Sequence, residues 1–120
     1  MRVMVIVKAT RDSEAGTMPS PELLAAMGAF NESLVKAGVM IDGAGLKASS
    51  HGARVGFSGE ARPVSRGPFP NTPDLIAGYW VWKVASVDDA IAWAKKCPNP
   101  HPGHECHIEI RPMFEETDFL

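Results

Sequence analysis

Apolar and polar positions alternate from the first residues of the chain. Across Arg2 to Ala9, Val3, Val5 and Val7 face one way and Met4 and Ile6 the other, the two-residue period of a strand apolar on both faces. Thr10 to Pro19 is polar and reads as a loop. Ser20 followed by Pro21 is a helix start, a hydroxyl N-cap before a proline at the first helical position. Leu23, Met27, Phe30 and Leu34 then recur at helical spacing, which predicts a helix to about Ala37, closed by Gly38. Val39 to Leu46 reads as a second strand, interrupted by Asp42-Gly43-Ala44-Gly45. Ala53 to Ser58 is a third, turning at Ser58-Gly59-Glu60 into a hairpin partner over Arg62 to Ser65. Arg66 to Pro73 holds three prolines and a glycine and reads as a loop. Leu75 to Val84 is the strongest strand, with Tyr79, Trp80, Val81 and Trp82 in succession. Ser86 caps a second helix whose apolar face is Val87, Ala90, Ile91 and Ala94, with Asp88 and Asp89 at the positive end of its dipole. Cys97-Pro98 closes that helix, Cys106 to Phe114 is the last strand, and Glu115 to Leu120 is a tail.

The predicted order is β-α-β-β-β-β-α-β. Without the middle hairpin it is the βαββαβ split unit of a ferredoxin-like sheet, an α+β fold. Two helices cover only one face of such a sheet. Trp80 and Trp82 lie on one face of the long strand and Tyr79 and Val81 on the other, so an apolar face is left over. Homodimerisation through the sheet face is the simplest way to bury it.

Composition narrows the function classes without choosing one. The 120 residues suit one domain, 1–120, and the 12.9 kDa chain can bury enough surface to need no disulfide or metal staple. A net charge of -2 gives no basic surplus for binding phosphate backbones, so no direct nucleic-acid partner is expected. No apolar run approaches the roughly 20 residues of a membrane span. The opening apolar run is short for a signal peptide and has no small-residue cleavage site, and two cysteines make no disulfide framework. The expectation is a cytoplasmic protein with no membrane association.

Four groups of residues carry candidate chemistry. Cys97, His101, His104, Cys106 and His107 place five possible metal ligands within eleven residues. They form no tight C-x2-C or H-x3-H pair, and the expectation is a polar loop with no metal and no cofactor. Arg66-Gly67-Pro68-Phe69 puts a cation and an aromatic ring on a stiff loop beside the tryptophan strand, an arrangement able to hold a planar anion. His107, Glu109 and Arg111 alternate with Ile108 and Ile110, so the polar trio shares one face, near Lys8 at the end of the first strand. A carboxylate with an arginine two residues on is either an ion pair or a base with an anion anchor. Asp42 is either a general acid or a turn former. There is no phosphate loop, no dinucleotide fingerprint and no Ser-His-Asp arrangement.

The stretch from Ser65 to Trp82, opening Ser-Arg-Gly-Pro-Phe-Pro, resembles the signature of the YCII-related proteins of DGPF type. The likeness extends to the first strand, Gly38 to Leu46, Ala53-Arg54-Val55, Cys97 to Gly103 and Ile108 to Pro112. It implies a bacterial protein built as a dimeric α+β barrel, two ferredoxin-like subunits packed sheet to sheet. It also implies one of two roles. Some members of the wider group are thought to act on small cyclic metabolites with a His-Asp pair; some DGPF-type proteins occur beside extracytoplasmic-function sigma factors. Gly67, Pro68, Phe69 and Thr72 match the pattern. Arg66 replaces its acid, Asn71-Thr72-Pro73 replaces its Glu-Thr-Lys run, and His104, Cys106 and His107 are unlike it. The expected function is binding of a small cyclic or anionic metabolite, with isomerisation or elimination as the chemistry a catalytic version would perform. Asp42, His107 and Glu109 are then the catalytic candidates, and Lys8, Arg66, Gly67, Phe69, Trp80 and Arg111 the ligand-binding ones. The alternative is a non-catalytic regulator or interaction protein associated with such a sigma factor.

Overall fold

The computed structural model describes Met1–Leu120. Six strands are present: β1 (Arg2–Lys8), β2 (Met40–Gly45), β3 (Ala53–Val55), β4 (Val64–Arg66), β5 (Ile76–Lys83) and β6 (Ile108–Pro112). Three α-helices accompany them: α1 (Arg11–Glu14), α2 (Pro21–Lys36) and α3 (Val87–Ala94). β2, β5, β1 and β6 lie in that order in one antiparallel sheet, and β3 and β4 form a separate hairpin. This is the ferredoxin-like split unit with an inserted hairpin, as the order of elements predicts.

The alternation along β1 decides the layers. Val3 and Val5 are fully buried and stand opposite Trp82 and Trp80 on β5; Val5 and Val7 stand opposite Ile110 and Ile108 on β6. Onto this side α2 sets Met27, Phe30 and Leu34, and α3 sets Ala90, Trp93 and Ala94. Phe30 packs edge-on against both tryptophan rings, with centroids 5.9 and 6.2 Å away. The opposite side carries Met4, Ile6, Tyr79 and Val81, and neither long helix covers it.

Four local expectations change. The Asp42-Gly43-Ala44-Gly45 run does not turn; it continues β2. Gly43 stands opposite Trp80, and a Cβ there would lie 2.9 Å from the indole Cδ1, so the missing side chain makes room for the ring. The polar 10–19 segment contains α1, capped by Thr10 and Ser13 through reciprocal side-chain bonds. The face of α3 is rotated: Ala90 is fully buried and Trp93 packs on the core, while Val87 and Ile91 are 37% and 39% exposed. Finally, Arg66 is not in the loop but ends β4, opposite Ala53.

Candidate functional site

β1 ends at Lys8 beside an open cleft of about 490 Å³. Three walls enclose it. Lys8, Ala9, Thr10 and Arg11 form the first, Pro70, Thr72 and Pro73 the second, and Glu105, Cys106 and His107 the third. Each wall is tied to the first by specific bonds. The Ala9 N–H donates to the Leu75 carbonyl at 3.0 Å, just beyond the second wall. His101 Nε2 lies 2.8 Å from the Lys8 carbonyl; a carbonyl only accepts, so that nitrogen carries the proton. His104 Nε2 lies 3.0 Å from Asp12 Oδ2. Within the third loop, Asn99 receives the His101 N–H and the Cys106 thiol on Oδ1 and donates to the His104 carbonyl. His101 and His104 therefore fasten the loop to β1 and α1. No three His, Cys, Asp or Glu side chains converge to hold a metal ion.

The sequence candidates divide between four places. Lys8 and His107 line the cleft. Asp42, Glu109 and Arg111 stand on the sheet face away from the helices, on opposite edges. The register places Asp42, Val81, Met4 and Arg111 in one row across four strands, so Asp42 and Arg111 are separated by roughly three inter-strand spacings of about 4.8 Å. Asp42 Oδ2 accepts from the Tyr79 hydroxyl at 3.3 Å, and Glu109 pairs with Arg111 at 3.3 Å. Asp42, His107 and Glu109 thus do not meet. Trp80 is a core residue, 7% exposed, whose indole N–H donates to Asn31 Oδ1 at 2.9 Å; it presents no face to a ligand.

Arg66 is exposed and outside the cleft lining. The Phe69 ring is covered instead by the Arg54 guanidinium, 3.8 Å from the ring centroid. The Gly67 N–H donates to the Gly52 carbonyl and the Phe69 N–H to the Ser49 hydroxyl, both at 3.0 Å, in the run that leads to Pro70 of the second wall. A family model, the YCII-related domain, matches residues 1–114. The chain belongs to the YCII-related family. No curated protein matches it.

In this YCII-related chain the cleft holds three basic side chains, Lys8, Arg11 and His107, and one carboxylate, Glu105. Lys8 and Arg11 can only donate hydrogen bonds. Thr10, Arg11, Thr72 and Glu105 were not among the sequence candidates. The Thr10-x-x-Ser13 spacing was a signal for α1, and hence for an ordered Arg11. Nothing local in the sequence brings residues 70–73 and 105–107 to the same place.

Proposed function

We propose that this chain acts as a homodimer packed through the uncovered sheet face and binds a small anionic metabolite in the cleft at the end of β1. The observation that carries the ligand is the convergence of Lys8, Arg11 and His107 from two separate segments on one cleft. Its volume falls within the roughly 300–1,000 Å³ of small-molecule sites. Ala9, Pro70 and Pro73 add apolar surface against which a ring could lie. If the bound molecule is isomerised or undergoes elimination, His107 is the acid–base candidate, because an imidazole both donates and accepts. Asp42, Glu109 and Arg111 flank Met4, Ile6, Tyr79 and Val81 and serve the subunit contact in this reading. The Gly67-Pro68-Phe69 run favours the DGPF-type subgroup, and the setting is the bacterial cytoplasm.

The second reading, a non-catalytic regulator beside a sigma factor, draws on the hairpin. Val55, Phe57 and Val64 are exposed there, Phe57 by 78%, and they lie off the main sheet. A calorimetric titration separates the two. Inorganic phosphate and a panel of small carboxylates should bind the wild type. Lys8→Ala should weaken them by about one to two orders of magnitude, the equivalent of one hydrogen bond to a charged group. Arg66→Asp should bind as the wild type does. If none of these anions binds, or Lys8→Ala binds equally well, the cleft is not an anion site. A loss confined to Arg66→Asp would move the site to the hairpin.

A further inference from the structure

We infer that Ser49 is a positioning residue for the cleft, a pin that holds two of its walls at a fixed separation. The inference rests on reading the cleft as an anion site. Ser49 begins a single helical turn, Ser49–His51, at the root of the hairpin, and it does not line the cleft itself. It stands behind two of the walls. Its backbone N–H donates to Glu14 Oε2 at 2.9 Å, and its hydroxyl donates to Glu14 Oε1. The same hydroxyl oxygen accepts from the Phe69 N–H at 3.0 Å. Glu14 lies three residues beyond Arg11 on α1, hence on the same side of that turn. Phe69 is the residue before Pro70. One hydroxyl is therefore bonded within three residues of the first wall and within one residue of the second.

The contact is steric as well as polar. A Cβ on Gly67 would fall 1.7 Å from the Ser49 carbonyl oxygen, so the loop backbone lies directly against the backbone of Ser49. Only a glycine permits that approach. Ser49 and Glu14 are both half-buried, and the hydroxyl and the backbone N–H of Ser49 together engage both oxygens of the Glu14 side chain. Ser49 is also not part of the core cluster. Its bonds go to the two segments that shape the cleft, and the four-stranded sheet does not depend on them. Alanine at this position removes both hydroxyl bonds; threonine keeps the hydroxyl.

The test compares wild type, Ser49→Ala and Ser49→Thr by titration with inorganic phosphate and by amide hydrogen exchange. Ser49→Ala should weaken phosphate by about tenfold. It should also speed exchange at Phe69, and at Glu14 and Leu75 beside the two walls, while Val5 and Trp82 in the sheet keep wild-type protection. Ser49→Thr should restore both readouts. Wild-type phosphate affinity in Ser49→Ala, with the Phe69 amide released, would overturn the inference. If the wild type itself binds no phosphate, the anion reading fails and the pin is judged on exchange alone: faster exchange at Glu14 and Leu75 supports it, and unchanged exchange overturns it. Should Ser49→Ala not fold, Glu14→Gln, which keeps one acceptor oxygen, supplies the same comparison by the same two readouts.

Discussion

The two cysteines at the ends of one loop have opposite surroundings. Cys97 packs against the core, and its thiol is pushed up to about 11, first by burial and then by the nearby Cys106. Cys106 is exposed in the cleft wall. Because the folded thiol of Cys97 titrates above its ordinary value of 9.0, the fold favours the protonated form. That contribution to stability is complete below about pH 9 and is lost as the pH rises towards about 11. Iodoacetamide at pH 8 should therefore modify Cys106 in the native protein and reach Cys97 only on unfolding, as peptide mass mapping would show. Equal labelling of both in the folded state would contradict this. The sequence presents Cys97, Cys106 and their neighbouring histidines as one cluster, and at this scale it could not be resolved further. The partners of His101 and His104 are Lys8 and Asp12, 93 and 92 residues away.

At the scale of elements, the caps were legible because they are local. The Ser20 hydroxyl accepts from the Leu23 N–H and the Ser86 hydroxyl from the Asp89 N–H, both at 3.1 Å. Ser86→Ala should cost about 1 kcal/mol, the usual value of an N-cap. It should appear as a lower denaturant midpoint at unchanged slope, and an unchanged midpoint would show that α3 is held by packing alone. The α2 stripe of Leu23, Met27, Phe30 and Leu34 was legible for the same reason, since a 16-residue helix repeats its period several times. The face of α3 was legible only in part: Ala90 and Ala94 meet the core as expected, and Val87 and Ile91 do not. Eight residues hold two competing apolar stripes, and Trp93, with Cys97 beyond the helix end, wins because it reaches the core. Likewise, α1 is four residues long, too short to show a period, and its polar composition resembles a loop.

The whole molecule is extended for its length. Its radius of gyration is 16.3 Å, against about 14 Å for a compact chain of this size. Its extents of 46 × 45 × 20 Å describe a flat body, and the hairpin is separate from the main sheet. Thirteen residues are buried, and Met4, Ile6 and Tyr79 remain partly exposed on the uncovered face. A second copy packed there should give a sedimentation mass of twice 12.9 kDa at micromolar concentration, and Ile6→Asp should return it to the chain mass. A wild-type monomer at that concentration would rule out the dimer. The sequence by itself determined the order of the six strands and the two longer helices, the apolar character of both sheet faces, the two long-helix caps and the family signature. The periods and caps depend on residues within a turn or two of each other, and the signature on the order of residues along the chain; neither needs the fold. Only the tertiary structure decided which candidates meet. Strand register separates Asp42 from Glu109 and Arg111 and turns Trp80 into the core. Chain crossing brings Lys8, Arg11 and His107 to one cleft and sets Ser49 between Glu14 and Phe69. Such contacts join segments dozens of residues apart, and the packing that selects them leaves no periodic mark on the chain.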